Sequence, residues 1–406
     1  MTENTQALRR APKARARREE VLDEASRLLN AHGVSQSTLQ DLAGELGVTR
    51  NALYYYFVDL EDLIFQTYER SCELLAARLA AAFDEGGGRL DVVKSFISRC
   101  LDPAQPQLAA LNEYGLLSDA HHAVVLRRYD DTVAKLAGLL EERARSGELR
   151  PCHAQTVART IISLVHWIPL PSAWTATSAE DRPRVVKALL DLIANGWAAD
   201  RDQACDPAPV DLSPLLVRAS DGFDQDAIAK VKRETILNMA SRMFTCRGVD
   251  STSLDEIATT LGTTKARLYK YVGDKQTLVA ECFARADRIY GYIMTCALEQ
   301  GATAQEQIVG LLRSNAMAQQ HKELQPLRYG SAVGALPASE QVRAAERLRR
   351  RNQEYTALYR AAKHERSMRD IDLELFWKDF AKQTHDDFAL VAAETTDVLR
   401  LGLRAI

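Results

Sequence analysis

Along residues 18–63 apolar side chains recur every three or four positions, beginning with Val21, Leu22, Ala25, Leu28 and Leu29. That spacing lines one face of an α-helix, and Gly33 stops it. Ser37 or Thr38 caps a second, short helix whose inner face is Leu39, Leu42, Ala43 and Leu46. Gly47 supplies a turn, and Thr49 caps a third helix with Leu53 and Phe57 inward. Helix, cap, short helix, glycine turn and second short helix is the order of a helix-turn-helix.

The same pattern returns 215 residues later, where residues 233–278 align with 18–63 without a gap. More than a third of the aligned pairs are identical, and Arg50/Lys265, Asp41/Glu256 and Leu42/Ile257 keep their chemistry. The second set of inward positions is Ile236, Leu237, Ala240, Phe244, Leu254, Ile257, Ala258, Leu261, Leu268 and Val272. The chain is therefore a tandem duplication. Strand signals are weak and heptad-like spacing dominates, so the expected class is all-α. The expected units are a basic arm with the first helix-turn-helix (1–60) and a helical effector and dimerisation domain (61–199). A proline- and aspartate-rich linker (200–226) follows, then a second helix-turn-helix (227–275) and a second helical domain (276–406).

The third helix of each unit carries an unusual outer face. Tyr54, Tyr55 and Tyr56 are consecutive and cannot all face one core; with Leu53 and Phe57 inward, Tyr54 and Tyr55 point out beside Thr49 and Arg50. The outward set of the second copy is Thr264, Lys265, Arg267, Tyr269 and Lys270. Hydroxyls and cations on a short exposed helix suit phosphate oxygens and base edges in a major groove.

The segments TLQDLAGELGVTRNALYYYFVDLEDL and SLDEIATTLGTTKARLYKYVGDKQTL closely resemble the TetR (tetracycline-repressor-like) regulators. The resemblance covers roughly the first 60 residues of each half. It implies that the third helix enters the major groove while tyrosines and the cap of the second helix grip phosphates. Carried over by position, it nominates Thr38, Thr49, Arg50, Tyr54, Tyr55 and Tyr56 in the first copy. In the second it nominates Ser253, Thr264, Lys265, Arg267, Tyr269, Lys270 and Tyr271. A lysine that opens the fourth helix in this family is kept as Lys275, whereas the first copy has Leu60. The family also implies a ligand-released repressor that binds double-stranded operator DNA; no cofactor is expected, and the apolar and aromatic residues of the effector region named below suit a small hydrophobic effector.

Charge alters the picture only locally. Lys+Arg 52 against Asp+Glu 55 leaves a formal net charge of −3, so no global excess points to nucleic acid. Arg9, Arg10, Lys13, Arg15, Arg17 and Arg18 form an acid-free basic run before the first unit, suited to phosphate contact with counterion release. A solvated tail is the alternative. Arg343, Arg347, Arg349, Arg350 and Arg351 read instead as a solvated face paired with Glu340, Glu346 and Glu354.

Seven cysteines without a C-x-x-C pair argue against a disulfide framework or zinc ribbon and fit a cytoplasmic protein. No stretch reads as a secretory signal or membrane span. The phosphate-binding, nucleophile-elbow and H-E-x-x-H patterns of common enzymes are absent, so no enzyme is expected; His385-Asp386-Asp387 reads as a solvated helix end.

Regulators resembling this family work as two-fold dimers. Here one chain holds both heads, and an intramolecular pseudo-dimer is expected, with a homodimer of whole chains as the other possibility. Its contact would come from Thr156–Ile168 and Arg184–Trp197 in the first copy, through Val157, Ile161, Leu164, Val165, Leu189, Leu192 and Ile193. In the second it would come from Asp372–Phe388 and Val391–Leu403, through Leu375, Phe376, Phe380, Val398 and Leu401. The effector region offers Tyr114, His121, His122, His166, Trp167 and Trp174, and in the second copy Phe376, Trp377, Phe380 and His385. Core or interface packing is the competing reading of the tryptophans. An interaction or sensing protein with one or both heads silent is the alternative function.

Overall fold

The computed structural model describes residues 3–34, 37–88, 90–111, 114–168, 182–218, 223–328, 336, 338–369 and 388–404. These residues are helical with no strand, so the class is all-α. The first copy runs α1 (Glu3–His32), α2 (Leu39–Glu45), α3 (Arg50–Leu53), α4 (Leu60–Glu85), α5 (Asp91–Leu101), α6 (Asp119–Arg145), α7 (Ala154–Trp167) and α8 (Arg182–Asn195). The second runs α9 (Gln225–Arg247), α10 (Leu254–Thr260), α11 (Lys265–Val272), α12 (Lys275–Gln300), α13 (Ala304–Gln320), α14 (Ala338–His364) and α15 (Phe388–Leu401).

The duplication reaches beyond the matching sequence. α4 and α12 keep the offset of 215, whereas α6 and α14 match at both ends at 219, and α8 and α15 at 206. These three pairs keep their helix lengths while the loops between them have changed. Each helix-turn-helix unit, or head, has its own small core. Leu22, Leu42, Leu53 and Phe57 are buried in the first, and Leu237, Ile257, Leu268 and Val272 in the second.

The helical domains share one core. A single cluster of buried apolar side chains joins Leu75, Phe96, Val157, Ile161, Leu189 and Trp197 of the first copy to Ile293, Ile308, Leu358 and Val398 of the second. α15 packs on both α7 and α8, and Thr160 and Thr395 meet across the joint at 3.4 Å. Burial of this apolar surface is the main force holding the copies together. The expected contact residues of α7 and α8 are all buried here, as is Val398, while Leu401 is half-buried. Leu375, Phe376 and Phe380 lie outside the described residues.

Where α8 and α15 end, the copies exchange backbone hydrogen bonds in a reciprocal pattern. The amides of Trp197 and Ala198 donate to the carbonyls of Leu399 (3.0 Å) and Arg400 (2.9 Å). Those of Leu403 and Arg404 donate to Ile193 (2.8 Å) and Ala194 (2.9 Å). The last carbonyls of a helix have no partner within it, so each helix end here is completed by the other copy. Arg150 and Arg369 repeat the symmetry: Arg150 Nε donates to the Gly402 carbonyl and Arg369 Nη1 to the Gly196 carbonyl, both at 2.7 Å. Gly196 and Gly402 adopt φ of +67° and +68°, and a Cβ on either would overlap the other copy's backbone. This close approach requires glycine.

The segment between the copies is partly built into this core. Cys205, Val210 and Leu212 are buried, the Val210 amide donates to Ser314 Oγ at 2.9 Å, and Asp206 pairs with Arg313. α9 already begins at Gln225, inside the expected linker. The prolines break helical periodicity without making the segment a free tether, because its apolar residues find the face of α13. On α14, Arg343 pairs with Glu340 as expected, but Arg350 and Arg351 turn to Asp287 on α12.

Candidate nucleic-acid interface

The second helix of each head is capped by a hydroxyl and a carboxylate acting together. The Asp41 amide donates to Thr38 Oγ1 (3.2 Å) while the Thr38 amide donates to Asp41 Oδ2 (2.9 Å). Ser253 and Glu256 repeat it at 3.1 and 2.7 Å. The Thr38 hydroxyl holds the Asp41 carboxyl below its ordinary value, and the Ser253 amide does so for Glu256. Ser37 is not the cap; it is buried, and its hydroxyl donates to the Gly33 carbonyl at 2.6 Å.

The third helices differ more than the sequence suggests. α11 has eight residues and ends at Gly273, whose φ of +67° lets its amide reach back to the Tyr269 carbonyl. The first copy has Val58 at this position, for which a left-handed conformation is unfavourable. α3 stops after four residues, Tyr54–Tyr56 form a turn, and Val58 is left 80% exposed. Thr264 caps α11 through the Arg267 amide (3.4 Å), whereas Thr49 occupies the cap position of α3 without a side-chain bond.

The outward faces emerge largely as expected. Tyr54 and Tyr55 are exposed, Tyr55 by 78%, and Tyr56 packs half-buried beside the first head's core. Arg50 Nη2 donates to the Tyr54 hydroxyl at 2.7 Å, with the guanidinium 5.5 Å from the ring centroid. In the second head Arg267, Tyr269 and Lys270 are exposed, and Tyr271 packs like Tyr56. Lys265 Nζ bonds Asp255 Oδ2 at 2.6 Å, which raises the ammonium above its ordinary value. The first head has Gln40 where Asp255 stands, so Arg50 lacks such a carboxylate. Lys275 opens α12 and reaches the Asp250 carbonyl at 3.3 Å, while Leu60 opens α4 packed between two apolar clusters.

A basic feature of the second head escaped the sequence reading. Lys230, Lys232 and Arg233 stand exposed near the start of α9, at the positions of Arg15, Arg17 and Arg18. Arg233 opens the repeated stretch, and extending the 215-residue register three residues upstream reveals the two lysines. The side chains of Arg9, Arg10 and Lys13 lie outside the described ones.

Both heads are tied to their helical domains through one buried arginine. Arg70 on α4 reaches Glu19 (2.9 Å) and Asp23 (3.4 Å) on α1, and Asp23 accepts from the Gln107 amide at 3.0 Å. Its counterpart Arg285 pairs with Glu234 and donates to the carbonyls of Leu324 (2.5 Å) and Glu323 (3.0 Å). Each arginine thus joins the head's first helix, the long helix behind it and, directly or through a carboxylate, the loop beyond.

Of the expected effector residues, Tyr114 lies 6.1 Å from Tyr68 and 5.3 Å from His122 between ring centroids, and burial pushes its phenol up. His166 is buried, with Nδ1 3.0 Å from the Ile162 carbonyl and its ring 6.3 Å from Tyr129. His121 stacks on Phe65 at 3.8 Å. Trp167 ends α7, but its side chain lies outside the described ones, as do Trp174, Phe376, Trp377, Phe380 and the triplet His385-Asp386-Asp387. No helix among the described residues is long and apolar enough to cross a membrane, and no group of three ligand-type side chains among them could hold a metal.

The family model of bacterial regulatory proteins of the tetR family matches residues 21–67 and again residues 236–282. The chain thus carries two TetR-like DNA-binding units in tandem. The HTH-type transcriptional regulator AcrR of Shigella flexneri is 25% identical to this chain over 179 residues, covering 40% of it and 82% of the relative. Among solved structures, AibR in complex with isovaleryl coenzyme A and operator DNA matches with 16% identity and a TM-score of 0.37. That match covers 43% of this chain and 97% of AibR. The ketosteroid transcriptional regulator KstR2 of Mycobacterium tuberculosis matches with 18% identity and a TM-score of 0.36, over 43% and 92% of the respective chains.

Proposed function

We propose that this DNA-binding regulator is a repressor that reads two unlike half-sites of one operator with a single chain and is released by a small hydrophobic effector. The reciprocal bonding of the α8 and α15 ends carries the proposal. Joined about an approximate two-fold axis, the copies present two heads as a dimer would. The heads offer different chemistry: Thr49, Arg50, Tyr54, Tyr55 and Tyr56 with the Thr38 cap, against Thr264, Lys265, Arg267, Tyr269, Lys270, Tyr271 and Lys275 with the Ser253 cap. Cations and hydroxyls of this kind position a head on phosphates and read base edges. The aromatic surroundings of Tyr114, and separately those of His166, suit an apolar ligand with few polar groups.

Selection from random duplex DNA, with the stoichiometry of the complex weighed by light scattering, tests the proposal. One chain on an asymmetric site is expected. Arg50→Ala and Arg267→Ala should then each erase a different half of the footprint; loss of the same half by both would refute two-headed reading. A second reading has its own support: α3 is a single turn and Leu60 replaces a basic residue, so the first head could be silent. Two chains on a palindrome, insensitive to Arg50→Ala, would establish that reading instead.

A further inference from the structure

One short segment of the first copy touches both sides of the interface between heads. At one end it is tied to the first turn of α4, where that helix leaves the first head. The Ser118 amide donates to Glu61 Oε1 at 2.6 Å, His121 Nδ1 lies 3.1 Å from the same oxygen, and the His121 ring stacks on Phe65. These contacts hold the Glu61 carboxyl below its ordinary value, the Ser118 amide foremost. At the other end, the 3-10 turn Tyr114–Leu116 packs against α9, the first helix of the second head. Gly115 rests on the aliphatic stem of Arg247, the last residue of α9, and a Cβ at 115 would overlap it. Beyond that contact, the Arg247 guanidinium lies 3.7 Å from Glu256, the carboxylate that caps α10. The chain of contacts therefore runs from α4 of the first copy to the second helix of the other head.

We propose that residues 114–121 are a spacer that sets the distance and rotation of the second head relative to the first, with Gly115, Arg247 and Glu61 as its positioning residues. The inference rests on the two-headed reading of DNA proposed above. Adding one base pair between half-sites moves the second by about 3.4 Å along the axis and turns it by roughly 34°. Linked heads gain from their linkage only when both engage at once. A spacer braced on both heads makes the regulator selective for one half-site separation. Gln276 stands where Glu61 would be in the second copy, so this carboxylate tie belongs to the first copy alone.

The test uses the intact chain on duplexes carrying the half-sites recovered by selection, at the selected spacing and one or two base pairs longer or shorter, together with duplexes carrying one half-site. The unaltered protein is expected to lose roughly tenfold or more in affinity for one inserted base pair. Arg247→Ala and Glu61→Gln should each flatten that loss to within about threefold while leaving affinity for single half-sites unchanged. Gly115→Ala, which forces the turn away from Arg247, should move the preferred spacing. A wild-type spacing profile in Arg247→Ala and Glu61→Gln would overturn the spacer. So would an Arg247→Ala loss on the isolated second half-site as large as on the full operator, because Arg247 would then be a DNA contact. If the unaltered protein binds no duplex, the DNA-reading proposal fails along with the spacer; binding with an unmoved spacing profile removes the spacer alone.

Discussion

Ser253 closes α10 with one hydroxyl and one backbone amide, and Glu256 answers from the first turn. Removing the hydroxyl leaves a helix-end amide without its partner, so Ser253→Ala is expected to lower unfolding stability by about 1 kcal/mol in a denaturant titration. The Glu256 carboxyl is held below its ordinary 4.5 in the folded state, so its contribution is full above that pH and fades as pH falls past it. A fall in protection of the first α10 amides on acidification, taken relative to the intrinsic exchange rate at each pH, would report the loss. Asp255 works in the opposite sense for function, since it neutralises Lys265 beside a surface proposed to meet phosphates. Asp255→Asn should raise affinity for random duplex DNA and steepen its dependence on salt by roughly one released counterion. An unchanged slope would show that Lys265 stays clear of the backbone.

The buried arginines make the head and its long helix one mechanical element. Arg285 is fully buried, with a carboxylate and two carbonyls as partners. Arg285→Ala leaves Glu234 with only the 4.0 Å contact to Arg288 and should cost roughly 3 kcal/mol, measurable as a lowered unfolding midpoint. A loss below about 1 kcal/mol would mean that water replaces the guanidinium readily. Elements of this size were the most legible part of the sequence. Caps, turn glycines and inward residues of each head lie within one short window, where a period of 3.6 and a hydroxyl at the right place suffice to place a helix. The early end of α3 was not legible from that pattern, because it turns on Val58 lacking the left-handed freedom that Gly273 uses. The basic triad of α9 straddles the start of the repeated stretch: Arg233 is its first residue, and Lys230 and Lys232 lie three and one residues before it.

Across the whole molecule, the helices that form the joint between copies are legible in the chain, but the backbone pairing at their ends is not. Its matching glycines stand 206 residues apart, while the heads repeat at 215 and α6 at 219, so no single register brings them together. Arg150 and Arg369 look like ordinary surface arginines until folding turns each toward the other copy's last helix. Gly196→Ala or Gly402→Ala is expected to cost at least about 2 kcal/mol, through a disfavoured φ and overlap with backbone. Protection of the Leu403 and Trp197 amides from hydrogen exchange should fall in both variants; protection retained would mean the joint relaxes around the new methyl group.

That joint also settles a question of pairing. Two different subunits made separately and able to join through one shared surface would assemble in three combinations, two of them carrying identical heads. A covalent pair whose helix ends complete each other yields a single combination from every polypeptide made. Each head is then free to drift toward its own DNA sequence, while residues 196 and 402 are not. Divergence at the tips and constancy at the seam are the evolutionary record such a molecule would leave.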